Sequence, residues 1–277
     1  MGKRGTIDKE YRRAILDSRC IVQDLEKADG NEAETRRRVE RIFESLMGYD
    51  TFKHLSRERA VRGAGETEHV DFAIQLESGE EAKPIIMVEI KRVNVDLAPK
   101  KHLKQISSYA INAGCEWLLL TNSKEWRLHH VAYGQPPETK HIFTWNLLTD
   151  DVNLLAERFS LLSYKSVRKG VLDDLWQKTN VLLPRNMLES ILCENSIKVL
   201  RWEIRRKTSV MVSPEDIITA LRRLLNETAL AEMGDVKVIL PERNIKQQRR
   251  KVKEEKPQED KKAPEEEEPS KKPKEPT

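Results

Sequence analysis

The chain has 277 residues, with 50 Lys and Arg against 46 Asp and Glu, a formal net charge of +4, and it is 38% hydrophobic and 35% charged. That length suits one or two domains of ordinary size. No apolar run approaches the roughly 18 residues of a membrane-spanning helix. The first six residues lack the apolar core of a secretory signal, so a soluble cytoplasmic protein is expected, with no membrane as partner.

Gly2 and Thr6 do have the spacing of an N-myristoylation pattern, which is short and common. Cys20, Cys115 and Cys193 are far apart and form no CxxC pair, which suits a reducing compartment and offers neither a disulfide framework nor a cysteine zinc site.

In chain order, Asp8–Lys27 reads as a helix with an apolar stripe of Ile15, Ile21, Val22 and Leu25. Asn31 then reads as the N-cap of a second helix, Glu32–Met47, ending at Gly48. Its apolar face is Val39, Ile42, Phe43 and Leu46, opposite a basic face that includes Arg36 and Arg37. Val70–Leu76 alternates as a strand does, and Ser78-Gly79 supplies a turn. Pro84–Lys91 is almost continuously apolar, as a strand buried on both faces would be. Lys101–Ala113 reads as a helix, Glu116–Thr121 as another buried strand, and Trp126–Tyr133 as the next strand after an Asn122-Ser123 turn.

From about Asn146 the pattern is helical, with Ser213-Pro214-Glu215-Asp216 forming a helix start before Ile217–Leu225. The segment from Gln247 to Thr277 holds ten basic and nine acidic residues, five prolines and one sizeable aliphatic residue, Val252. Such a composition cannot bury enough apolar surface to offset the entropy of ordering it. The expected organisation is therefore an α/β domain with a mixed sheet flanked by helices over 1–148, a small all-helical domain over 149–240, and a disordered charged tail over 241–277.

The chemistry concentrates on Glu89-Ile90-Lys91. Residues two apart on a strand face the same side, so Glu89 and Lys91 project together while Val88 and Ile90 face the other way. An antiparallel partner strand can bring Asp71 beside Glu89, and two adjacent carboxylates suit Mg²⁺, which keeps several waters. A solvated, salt-bridged sheet face has the same Glu-x-Lys pattern and contributes little to stability. Here, however, the pattern sits in a run that otherwise looks buried, where charges need partners or metals. His129 and His130, adjacent on a strand, face opposite ways and are poorly placed to bind one metal together. Lys100, Lys101 and Lys104, and in the helical part Lys198, Arg201 and Arg205, are basic groups able to meet phosphate. A solvated helix face explains them equally well.

Taken in order, several pieces resemble the PD-(D/E)XK nuclease superfamily, and most closely the N-terminal nuclease domain of type I restriction enzyme R subunits. They are Asn31–Arg36, Leu46–Asp50, Val70-Asp71-Phe72 (with Val where the superfamily name has Pro), Glu89-Ile90-Lys91, Gln105–Tyr109, and Leu119–Asn122 with Trp126. The resemblance spans about Glu32 to Tyr133. It implies a restriction-endonuclease-like fold and Mg²⁺-dependent hydrolysis of DNA phosphodiesters, with Mn²⁺ able to substitute. Asp71 and Glu89 would be the metal ligands and Lys91 the catalytic lysine. Glu32 would be the assisting helix carboxylate, with Glu34 the alternative, and Gln105 and Tyr109 a helix pair directed at DNA. Further partners implied are a second copy of the chain or another restriction-system protein. The alternative is a non-catalytic DNA-binding or assembly module of a restriction or phage-defence system. No Walker A loop appears, so the ATP-driven translocation of full R subunits is not expected.

Overall fold

In a computed structural model, which describes residues 7–62, 67–77, 79 and 82–225, two amphipathic helices come first. Helix α1 (Lys9–Lys27) buries Ile15, Val22 and Leu25, and α2 (Glu32–Ser45) buries Val39, Ile42 and Phe43. Asn31 caps α2 reciprocally: its side chain accepts from the Glu34 N–H at 2.9 Å, and its own N–H donates to Glu34 Oε2 at 2.9 Å. That box satisfies two groups that a helix start leaves without partners.

Among the described residues six strands follow: β1 (Leu55–Arg62), β2 (Thr67–Ile74), β3 (Ile86–Ile90), β4 (Trp117–Thr121), β5 (Glu125–Ala132) and β6 (Glu138–Asn146). They form one sheet in sequence order. All neighbours are antiparallel except β3 and β4, which run parallel. That pair needs a crossover, supplied by α3 (Lys100–Ala113), which ends at Gly114 with φ +64, a left-handed conformation that glycine adopts without steric cost. The mixed sheet flanked by helices is the architecture the sequence leads one to expect.

Strands β1 and β6 were not expected, and both lie on the edges of the sheet. An edge strand is half covered and carries charge, as in Leu55-Ser56-Arg57-Glu58 and Glu138-Thr139-Lys140-His141, so its apolar alternation fades. The central strands behave differently. Every residue of β3 and of β4 is buried.

The sheet separates two apolar layers. On one side Ile15, Val22, Val39 and Phe43 pack with Phe72, Val88, Ile90, Trp126 and Trp145. On the other, Ile106, Tyr109 and Ala110 of α3 pack with Ala73, Met87 and Leu118. Val88 and Ile90 thus lie together, away from the Met87 side. Helices α4 (Val152–Leu161), α5 (Tyr164–Val167) and α6 (Val171–Val181) continue the first layer through Leu155, Phe159, Leu162 and Leu172. Phe159 meets Trp126 edge-on at 5.4 Å and Trp145 at 5.9 Å. The change of sequence pattern near 148 therefore marks a change of secondary structure inside one core. The chain divides into compact units between Leu183 and Pro184.

The second unit holds α7 (Pro184–Ile191), α8 (Glu194–Thr208) and α9 (Pro214–Arg222). Leu188 and Leu192 form its small core with Ile218, Leu221 and Leu225. The expected helix start at Ser213 is present, with the Asp216 N–H donating to Ser213 Oγ at 3.1 Å. The N-terminal six residues, Ser78 of the expected turn, and the tail over 241–277 lie outside the described residues. Among the described residues no helix is long and apolar enough to cross a membrane.

Phe43 is fully buried, with edge contacts to Tyr49, Phe72 and Trp126 at centroid distances of 6.3, 6.1 and 6.2 Å. Replacing it with Ala removes the largest apolar contact of α2 with the sheet. Phe43→Ala is expected to cost about 3–5 kcal/mol in urea unfolding. A cost near zero would show that α2 is not anchored this way.

Candidate active site

Strand register brings the two carboxylates together. β2 and β3 pair as Phe72↔Val88, Ala73↔Met87 and Ile74↔Ile86. One further step sets Asp71 opposite Glu89, and opposed residues of an antiparallel pair share a face. The backbone ladder stops there because the Asp71 side chain takes over: its Oδ2 accepts the Ile90 N–H at 2.7 Å. Asp71 Oδ1 accepts from the guanidinium of Arg36, on α2. Arg36 also donates to Glu58 Oε1 at 3.1 Å.

Glu89 is 3% exposed, the last residue but one of a strand buried on both faces. Lys91 Nζ donates to Glu89 Oε1 at 2.6 Å. Burial pushes the Glu89 pKa up to about 7; the Lys91 hydrogen bond and charge oppose this, while Asp71 and Glu32 add to it. For Lys91, burial alone would lower the pKa. The hydrogen bond to Glu89, with the charges of Glu89, Glu32 and Asp71, outweighs it and leaves the ammonium more firmly protonated than a free lysine. The two directions agree physically, because desolvation dominates at the buried carboxylate and the acidic surroundings dominate at the less buried amine.

The segment after β3 is tied down. The Lys91 N–H donates to Thr121 O at 2.9 Å, and Asn122 Nδ2 donates to Val95 O at 2.9 Å. Arg92 pairs with Asp29, and Asn94 Nδ2 donates to Asp29 Oδ1 at 2.8 Å. The Asn122-Ser123 turn thus fixes the backbone from which Lys91 projects.

Of the other expected site residues, Glu32 lies in the first turn of α2 and its charge reaches both Glu89 and Lys91. Glu34 is occupied by the Asn31 cap, which leaves Glu32 as the helix carboxylate facing the site. Gln105 and Tyr109 meet each other, Gln105 Nε2 donating to Tyr109 Oη at 2.9 Å. Tyr109 is buried in the α3 layer and Gln105 is exposed. Among the described residues neither hydrogen-bonds to Asp71, Glu89 or Lys91.

His129 and His130 are both buried, and burial pushes both pKa values down to about 4. His129 meets His141 edge-on, while His130 stacks on Trp176 at 3.7 Å. In the helical unit Arg201 donates to Val212 O at 3.0 Å, and Lys198 pairs with Glu194.

Arg36 and Glu58 were not singled out from sequence. Arg36 had a legible signal, since it stands four residues after Glu32 and shares its helix face. Glu58 had none, because nothing local marks β1 as a strand.

Asp71 and Glu89 offer two hard oxygen ligands side by side, and among the described residues no cluster of three or more His, Cys, Asp or Glu is placed to hold an ion. Two carboxylates fit Mg²⁺ or Mn²⁺, which take oxygen donors and retain water. They do not resemble the four-ligand nitrogen and sulfur sets of structural zinc.

Residues 31–142 match the family described as Type I restriction enzyme R protein N terminus (HSDR_N). The match covers less than half of the chain. Similar solved structures include a DrdV–DNA complex determined by cryoEM, with TM-score 0.42 and 13% identity, covering 72% of this chain and 17% of that one. Another is the type IIG restriction endonuclease BpuSI, with TM-score 0.34 and 17% identity, covering 57% of this chain and 18% of that one. The chain spans less than a fifth of either. No curated protein sequence matches it.

The Glu89–Lys91 pair has a definite pH signature. Neutral Glu89 stabilises the fold fully below its unfolded pKa, near 4.5, and that contribution is lost as pH rises through about 7. Above that pH the ionised carboxylate depends on Lys91. Lys91→Ala is therefore expected to destabilise by about 3 kcal/mol at pH 8 and by less than about 1 kcal/mol at pH 5. Urea unfolding at both pH values measures this, and a pH-independent cost would remove the pair from the account.

Proposed function

We propose that this domain is a metal-dependent nuclease that hydrolyses DNA phosphodiester bonds as part of a restriction system. The observation that carries the reading is the juxtaposition of Asp71 and Glu89 on adjacent central strands, with Lys91 projecting beside Glu89. Two neighbouring carboxylates, one of them 3% exposed, repel each other and are costly to bury, and a bound cation would compensate both. The match of residues 31–142 to the R-protein N terminus of type I restriction enzymes supports the restriction setting.

Asp71 and Glu89 would hold Mg²⁺, or Mn²⁺ in its place. The ion would supply a water of lowered pKa and a positive charge on a phosphoryl oxygen. The remaining work falls to the chain. Lys91 stays protonated at neutral pH, so it acts as a fixed cation that orients the attacking water and stabilises negative charge building on the phosphate. It does not serve as the base. Glu32 adds negative charge at the mouth of the site and keeps Lys91 charged. Gln105, held by Tyr109, stands on the exposed face of α3 next to Lys101 and Lys104, where it contacts the DNA backbone. Tyr109 positions Gln105 and does not itself reach DNA.

A non-catalytic DNA-binding or assembly role is the second reading. The observation in its favour is that both carboxylates already have cationic partners within the chain, Arg36 and Lys91.

Purified protein incubated with plasmid, linear and single-stranded DNA in Mg²⁺ or Mn²⁺ separates the two. Cleavage is expected, is abolished by EDTA, and falls by at least about 100-fold in Asp71→Asn and in Glu89→Gln. Circular dichroism would confirm that each variant is folded. Binding without cleavage on all three substrates would favour the module, and cleavage unchanged by either substitution would remove the site.

A further inference from the structure

Arg36 occupies the oxygen that the nuclease reading assigns to a metal. Its guanidinium bridges two acids, pairing with Asp71 Oδ1 on β2 and donating from Nη1 to Glu58 Oε1 at 3.1 Å on β1. The two acids have different surroundings: the Asp71 side chain is 10% exposed and that of Glu58 is 70% exposed. Bridging leaves the guanidinium incompletely satisfied, because its Nε–H is buried with no hydrogen-bond partner. A guanidinium seated as a fork on a single carboxylate uses two adjacent N–H groups, and a fork on Glu58 would supply the acceptor that Nε lacks.

Glu58 is held where such an exchange requires it. β1 and β2 pair as Arg57↔Phe72 and Arg59↔Val70, so register sets Glu58 opposite Asp71, and that pair alone drops out of the ladder. At this position the backbone of Glu58 turns to φ +47, in the left-handed region that non-glycine residues seldom occupy. Its carbonyl is met instead by His69 Nδ1 at 2.9 Å. The distortion falls on the residue of β1 that pairs with Arg36. Strain of this kind persists where the surrounding structure fixes it. With Glu89 on the far side of Asp71, register places three acids abreast on three strands, and Arg36 sits between the first two.

We propose that Arg36 is an exchangeable counter-ion of the metal site: it neutralises Asp71 in the metal-free protein and transfers to Glu58 when a divalent cation takes Asp71. This rests on the metal-dependent reading of Asp71 and Glu89. Arg36 and Glu58 are positioning residues here, acting through Asp71. The exchange has two consequences. Without metal, Arg36 keeps Asp71 from standing unpaired beside Glu89. With metal, the transferred charge stays close to the site and is not released into solvent, so binding is selective for cations able to displace a guanidinium.

The test is a double-mutant cycle read as Mn²⁺ affinity, by electron paramagnetic resonance or calorimetry, on the full chain without DNA. Arg36→Gln should bind Mn²⁺ more tightly than the parent, and Glu58→Gln more weakly, because Arg36 then has only Asp71. The discriminating variant is Arg36→Gln combined with Glu58→Gln. With Arg36 gone, loss of Glu58 should no longer matter, giving a non-additivity of about fivefold or more in the dissociation constant. Simple through-space attraction by Glu58 would instead weaken binding equally in both backgrounds, and that additive result overturns the exchange.

Glu58 is exposed, so its variant tests the idea even where Arg36→Gln folds poorly; an unchanged affinity in Glu58→Gln alone also overturns it. Asp71→Asn should abolish binding. Mn²⁺ bound normally by the parent, with additive variants, sinks the exchange and leaves the nuclease reading standing. No Mn²⁺ binding by the parent or by any variant sinks both.

Discussion

A carboxylate within a fully buried strand is the constraint on which the rest of this structure turns. Glu89 is 3% exposed with apolar neighbours on either side in sequence, and its pKa rises to about 7 because ionising it there means giving up water. A chain that keeps such a residue has to surround it with compensating groups. Lys91 is the first, two residues on and on the same face. The turn at Asn122-Ser123 and the Arg92 and Asn94 contacts to Asp29 then hold the segment that delivers Lys91. Ordering after β3 that would otherwise look incidental follows from one acid in the sheet.

The second carboxylate extends the same logic sideways. Asp71 spends one oxygen on the Ile90 N–H, which replaces a ladder bond that the antiparallel pair would otherwise make with its backbone. Its other oxygen takes Arg36 from α2. Helix α2 is thus fixed to the sheet at two levels, by Phe43 in the apolar layer and by Arg36 at the polar end. The two attachments differ in kind. Phe43 contributes through buried area and does not depend on pH, whereas Arg36 holds only as long as Asp71 has no better partner.

Legibility in the sequence followed burial. β3 and β4 are buried throughout, so their runs of Ile, Val and Leu mark them without help from neighbours. α2 carries its own start signal at Asn31. β1 and β6 are edge strands in which Arg, Glu, Lys and Thr replace apolar alternation, and a sequence pattern has no means of reporting a strand that owes its existence to a partner. The site divides the same way. Glu89 and Lys91 stood out as charges inside an apolar run, and Asp71 as the head of an alternating strand. Arg36 was visible only as one of several basic residues on a helix face. Glu58 lies in an unmarked strand and gains its meaning from register with Asp71, a long-range fact.

The extent of the first unit was hidden for a related reason. A change from strands to helices near residue 148 resembles a domain boundary, yet Phe159 packs edge-on against Trp126 and Trp145, and Arg19 donates to the carbonyls of Leu147 at 2.8 Å and Asp150 at 2.6 Å. Secondary-structure content and core membership are separate properties, and only the second decides what folds together. The apolar layer under α1, α2 and α4 therefore does more than cover the sheet. It fixes the helix that carries Arg36 and Glu32 against the strands that carry Asp71 and Glu89, so the polar site inherits its geometry from an aromatic core on the opposite face.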